Sequence, residues 1–355
     1  MKILKQLNMK KPLFIIIVMM IAMMLKTHGQ DAHFTQVQYF PLALNPAMSG
    51  CNYVMSANAI YRNQWKSVAV PYNTFGFSID GRLKKSPKGH FLAGGISFYN
   101  DNTGDLQFKT NDVKVNLAYH LNLQKGHKLG LGLYGGFIQR SINMGNAQWG
   151  AQYDYSIGQY NPAAASNENL GSLNTFVIDA GTGIVYSYTK NEKYMRGNDN
   201  LRINAGFSAL HVNQPASTFL KNSSDKMYIK YVLFANAEIG IKNTNFAIVP
   251  LLVTQMQGPG IEVLAGGYIK YLLQDQSHYT GLKKGSSFSI GSIYRNSDAV
   301  TTNFIFEYDA WAIGASYDVN ISQLKTVSKG KGAVEVFLRY VLPSPFGPGA
   351  SKSRI

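Results

Sequence analysis

Three features of the sequence predict an all-β chain, closed as a transmembrane antiparallel β-barrel of about 14 strands in an outer membrane. An export signal stands at the front with no apolar run of spanning length behind it. Long segments then alternate apolar and polar residues with period two. Aromatic residues sit at or near the ends of the apolar faces of those segments. Composition agrees: 15% of residues are charged, against about 25% in an average soluble domain. Gly (34), Tyr (22) and Phe (19) are plentiful, a mixture that suits strands and turns. Hydrophobic residues make up 45% of the chain, yet mean hydropathy is slightly negative, so they are interleaved with polar ones. A helical membrane protein would gather them into blocks.

Lys2, Lys5, Lys10 and Lys11 precede an apolar core from Leu13 to Leu25, and Thr27-His28-Gly29 offers small residues for cleavage. That is a secretory signal peptide over 1–29; its thirteen apolar residues fall short of the roughly 20 a spanning helix needs. The mature chain is expected to start at Gln30, with a periplasmic segment over 30–52, the barrel over 53–342 and a tail over 343–355.

Period-two alternation puts one set of side chains on each face of a strand. In 112–122, Val113, Val115, Leu117, Tyr119 and Leu121 oppose Asp112, Lys114, Asn116, His120 and Asn122. In 311–320, Trp311, Ile313, Ala315, Tyr317 and Val319 oppose Ala312, Gly314, Ser316, Asp318 and Asn320. The first strand sets Tyr53, Met55, Ala57, Ala59 and Tyr61 against Ser56, Asn58 and Arg62. Segments of about 10 residues or more are long for a soluble sandwich but match the 9 to 11 tilted residues that cross a bilayer. The apolar face is expected against outer-membrane lipid, with Tyr53 and Tyr61, or Trp311 and Tyr317, at the interfaces. The polar face reads as a wetted interior.

Turn signals divide the chain into strands near 53–65, 70–83, 91–100, 108–122, 128–141, 172–189, 201–211, 228–241, 245–255, 260–272, 286–295, 300–308, 311–320 and 332–342. That even count returns both ends to the periplasm. The long connections near 142–171 and 212–227 then fall outside the cell.

The formal charge is +15, and five lysines within 1–29 leave a mature charge of +10. The bases are dispersed, with no basic helix or zinc-finger spacing, so nucleic acid is not an expected partner. Sorting connections by side places +7 on the periplasmic turns and −2 on the external loops. A ring of like charge steers an oppositely charged partner. Lys84, Lys85, Lys88, Lys125, Lys128, Lys283 and Lys284 are therefore the candidate partner-binding residues, for an acidic patch on a periplasmic component or cargo domain.

No chemistry of an enzyme is visible, and none is expected. Gly130, Gly132 and Gly135 spell G-x-G-x-x-G, but inside an alternating strand rather than before a helix; easing curvature or letting a neighbour approach suits them better. Seven histidines are scattered without metal-ligand spacing, and Cys51 is the only cysteine, so no metal, disulfide or cofactor is expected. A small residue at a strand start is the simplest reading of Cys51.

The stretch QDAHFTQVQYFPLALNPAMSG from Gln30 and YRNQW at 61–65 together resemble the opening of the PorP/SprF family. Further similar stretches run along the chain: GGISFYNDNTGDL from Gly94, GGFIQRSI at 135–142, GFSALHVNQP from Gly206, QGPG from Gln257 and GASYDVNISQL from Gly314. The resemblance implies an outer-membrane barrel of the type IX secretion system of Bacteroidota, acting in secretion or surface attachment of a specific large cargo or gliding adhesin. It also implies as partners other components of that system and a secreted protein with a type B C-terminal domain. A general porin or small-molecule transporter would share the barrel features. One departure is the tail PSPFGPGASKSRI, which moves the terminal aromatic of barrel assembly off the end.

The motif residues Asn45, Pro46, Gly50, Tyr61, Arg62, Asn63, Trp65, Tyr317, Asp318 and Asn320 also have structural readings. Asn45-Pro46 and Gly50 fix the turn into the first strand. Arg62 belongs to an interior charge network with the polar face. Trp65 shares the parity of Tyr61 and is expected at a membrane interface.

Overall fold

The computed structural model describes residues 31, 33–68, 70–87, 89–168, 173–190, 198–219, 225–274 and 284–342. The signal peptide over 1–29, the tail over 343–355, Lys88 and Lys283 lie outside the described residues.

Fourteen strands close one antiparallel barrel: β1 (Met55–Gln64), β2 (Tyr72–Lys85), β3 (Phe91–Thr103), β4 (Phe108–Gln124), β5 (His127–Ser141), β8 (Asn174–Lys190), β9 (Leu201–Leu210), β10 (Lys230–Gly240), β11 (Phe246–Gln257), β12 (Gly260–Gln274), β13 (Ser286–Arg295), β14 (Ala299–Tyr308), β15 (Trp311–Asn320) and β16 (Lys331–Leu342). The remaining two, β6 (Tyr153–Asp154) and β7 (Gln159–Tyr160), make a small hairpin inside the β5–β8 connection. Closure runs from Met55↔Leu342 to Gln64↔Ala333, so no strand edge is left open. The end where β1 begins and β16 finishes is called proximal here, and the other end distal.

The alternation sorts as its period dictates. β15 is exposed and buried by turns along its whole length, with Trp311, Ile313, Tyr317 and Val319 outward and Ser316, Asp318 and Asn320 inward. Val115, Leu117, Leu131, Leu133 and Ile178 likewise point out. An apolar outer wall is the signature of strands that meet lipid. Tyr53 departs from its expected place: the strand starts only at Met55, and the Tyr53 ring turns toward the inward guanidinium groups of Arg202 and Arg339.

The stretch 30–52, expected as a periplasmic segment, is not a separate piece. From Asp31 to Cys51 the chain runs through the lumen from the distal toward the proximal end before entering β1. It folds as a 3-10 turn (Val37–Tyr39), one α-helical turn (Pro41–Leu44) and a second 3-10 turn (Pro46–Met48). Phe34, Val37, Phe40, Leu42, Leu44, Ala47, Met48 and Cys51 are all buried. The reason is in their composition: each large apolar side chain withdrawn from water contributes about 1.5–3 kcal/mol.

Candidate functional site

The lumen segment from Asp31 to Cys51 is a plug, held at its distal part by a buried ion cluster. Arg62 of β1 donates to Asp318 (2.7 Å) and Glu335 (3.0 Å), and Arg295 of β13 donates to the same Asp318 oxygen at 2.6 Å. Both guanidinium groups also donate to the Thr35 hydroxyl, at 2.7 and 2.9 Å. The Glu335 carboxylate accepts the backbone N–H groups of Thr35 (2.9 Å) and Gln36 (2.7 Å). Arg62, Arg295, Asp318 and Glu335 are almost completely buried. Charges this deep persist only when paired and hydrogen-bonded. Four wall strands, β1, β13, β15 and β16, thus share one cluster with the plug backbone.

A second cluster anchors the very start of the described chain. His211, just after β9, lies between Asp31 (2.8 Å) and Asp179 (2.9 Å), and the Tyr134 hydroxyl donates to Asp179 at 2.9 Å. Burial pushes the Asp31 carboxyl up, but the adjoining His211 and Lys230 outweigh it and hold the group well below the usual carboxylate range. Burial likewise works against the His211 imidazolium, and the Asp31 and Asp179 carboxylates more than offset it, so its pKa stands above the ordinary value.

Lower down, wall glycines receive the plug. A Cβ at Gly132 would collide with the backbone of Ala47, and one at Gly183 with the side-chain amide of Asn45. Close approach therefore explains the middle glycine of the G-x-G-x-x-G string. Asn45 does more than shape a turn: its Oδ1 accepts the Ala47 N–H at 2.8 Å and its Nδ2 donates to the carbonyls of Ile184 and Phe207. Gly50 takes φ +60°, and its N–H donates to Asp80 at 2.7 Å. Arg82 and Lys128 donate to the last plug carbonyls, Gly50 (2.9 Å) and Cys51 (2.9 Å) respectively.

The other motif residues divide between wall and rim. Asn63 and Tyr61 both donate to Asn73 Oδ1, at 2.6 and 2.8 Å, tying β1 to β2. Tyr317 stands on the outer wall, and Asn320 donates to Ser328 and to the Lys331 carbonyl, closing the 321–330 connection. Trp65 does not sit on the outer face with Tyr61. It has left β1 with φ +60° and packs edge-on against Tyr72 at the distal mouth.

Of the candidate partner-binding lysines, Lys84, Lys85 and Lys125 are exposed on neighbouring proximal hairpins. Lys284 is exposed on a distant sector of the same end and pairs with Asp309 at 2.9 Å. Lys128 is spent on Cys51 inside the lumen and does not stand on the rim.

Type IX secretion system membrane protein PorP/SprF is the family that matches, over residues 26–340. The chain belongs to the PorP/SprF family. Membership gives it the outer membrane as its location and other type IX secretion components as its partners. No curated protein matches. Among solved structures, this PorP/SprF chain is similar to the TodX deltaS2S3 mutant monoaromatic hydrocarbon channel (8% identity, 86% of this chain and 94% of that one, TM-score 0.48). It is also similar to the CymD monoaromatic hydrocarbon channel (12%, 89% and 96%, 0.41) and to BamA from Haemophilus ducreyi lacking POTRA domains 1–3 (9%, 81% and 70%, 0.41).

Sequence reasoning missed Thr35, Gln36, Arg295, Glu335 and His211 as parts of the site. The available signal was the density of large apolar residues over 34–48, too great for a stretch left in water.

Proposed function

We propose that this PorP/SprF chain is a non-enzymatic anchor through which type IX secretion exports, or holds at the surface, one large secreted cargo or gliding adhesin carrying a type B C-terminal domain. The observation that supports it is the filled lumen. A porin needs a continuous aqueous path, whereas here Arg62, Arg295, Asp318 and Glu335 of the inner wall are paired with one another and with the plug. Removal of the signal peptide near Gly29 fits this reading, because Asp31 is already hydrogen-bonded to Gln257; mass spectrometry of the mature amino terminus checks that site.

Planar-bilayer recording on the purified protein, paired with a surface assay for the secreted partner in a deletion strain, tests the function. The expected outcome is electrical silence together with loss of one surface protein on deletion. Large steady conductance with surface display unchanged would establish a porin instead.

A further inference from the structure

Among the described residues, the plug stops at Asp31, short of the distal mouth. Above it lies a cavity of about 970 Å³, floored by Asp31, His33 and Phe40 and walled by Thr74, Tyr99 and Asp112 among others. That is the upper end of the roughly 300–1,000 Å³ typical of ligand pockets. Two ring pairs stand among its lining, Trp65 with Tyr72 (centroids 4.8 Å apart) and Phe108 with Phe219 (6.0 Å).

Charge pairing in the cavity is uneven. Asp31 is met by His211 and Lys230, Asp112 by Lys114 and Asp298 by Arg295; Asp101 accepts from the Thr74 hydroxyl at 2.7 Å. Arg140 differs. Its Nη1 donates to Ser217 Oγ at 2.8 Å, its Nη2 reaches Met227 Sδ at 3.5 Å, and its Nε is buried without a partner. Neither partner carries charge, so an anion seated there would gain charge-assisted, bidentate hydrogen bonds.

Aromatic rings, methionine and arginine are the residues enriched at the cores of protein-recognition surfaces. A sugar, by contrast, asks for carboxylates free to accept its hydroxyls, and of the five aspartates in the lining three are taken by cations and Asp101 by the Thr74 hydroxyl. We infer that the distal cavity receives an extended, aromatic-bearing acidic peptide, with one carboxylate on Arg140 and its rings between the two aromatic pairs. The inference rests on the anchoring reading above, in which the segment belongs to the secreted partner.

The test uses full-length protein in detergent and two fluorescein-labelled hexapeptides, one alternating Tyr and Asp, the other Tyr and Lys. Fluorescence anisotropy is expected to show the acidic peptide binding at least about tenfold more tightly, a typical effect of one charge-assisted contact. Arg140→Glu should abolish the preference, Arg140→Lys should keep most of it, and Lys242→Glu at the proximal end should change nothing. Heat-modifiability on a gel verifies that each variant is folded. Equal binding of the two peptides, an unchanged preference in Arg140→Glu, or displacement by maltohexaose would each overturn the assignment. No secreted protein enters this assay, so its failure leaves the anchoring reading standing. Silence of the surface-display assay would remove that reading instead.

Discussion

Arg62→Met is the substitution that most directly asks whether the plug is held by the buried ions. Methionine keeps much of the aliphatic volume and deletes donors to Asp318 (2.7 Å), Glu335 (3.0 Å) and Thr35 (2.7 Å). Asp318 keeps Arg295 and the Thr301 hydroxyl, but Glu335 loses its only ion-pair partner among the described residues. Removing one partner of a buried pair costs about 3–5 kcal/mol. At about 1.4 kcal/mol per decade, the displaced state of the plug should gain roughly two to three and a half orders of magnitude in population. Val37 is buried next to Gln36, so a Val37→Cys thiol in a Cys51→Ser background reports that population through its maleimide labelling rate. The expected rate rises about a hundredfold or more in Arg62→Met, with heat-modifiability retained. A rise under about threefold would refute the idea that this cluster seats the plug.

Gly132→Val, whose side chain meets the Ala47 backbone, should speed the same labelling about tenfold or more, in keeping with an overpacking cost of about 1–3 kcal/mol. Gly135→Ala, with open space at its Cβ, should leave it unchanged. For pH, the raised His211 pKa means its contribution is whole below the ordinary histidine value and is lost as pH climbs through the raised one, while the depressed Asp31 value confines its own loss to strong acid. Hydrogen exchange over 31–36 should therefore show protection at neutral and mildly acidic pH that falls in alkali, and His211→Gln should flatten the profile. Lys84, Lys85, Lys125 and Lys284 changed together to Glu should abolish surface display of the secreted partner without impairing barrel assembly; display that survives would reduce the basic rim to a solubility device.

All fourteen barrel strands were legible, because a half-lipid, half-lumen strand must alternate and the turn residues between strands interrupt the alternation. Their ends were less so. Parity stops meaning anything once the backbone leaves the extended region, as at Trp65 with φ +60°, and it means nothing before pairing begins, as at Tyr53. The inward set on β1 and β15, including Arg62 and Asp318, could be read from alternation alone. What filled the lumen could not, because 34–51 has neither period two nor a helix longer than one turn. Its apolar residues carry burial information without saying against what.

The polarity of the inner wall takes a different meaning once the plug is in place. Alternation with Asn, Ser, Asp and Glu reads as an interior facing water, yet much of that polarity faces protein backbone. An irregular segment at membrane depth needs its N–H and C=O groups satisfied by the protein around it. Here Glu335 takes the N–H groups of Thr35 and Gln36, Asp80 that of Gly50, and Ser208 and His120 meet the carbonyls of Leu44 and Ser49. Arg82 and Lys128 complete the series at Gly50 and Cys51. The inner face is thus matched to one segment at a series of points from Thr35 to Cys51. Two carboxylates and two cations of the inner wall are spent on the backbone of the chain's own amino-terminal segment.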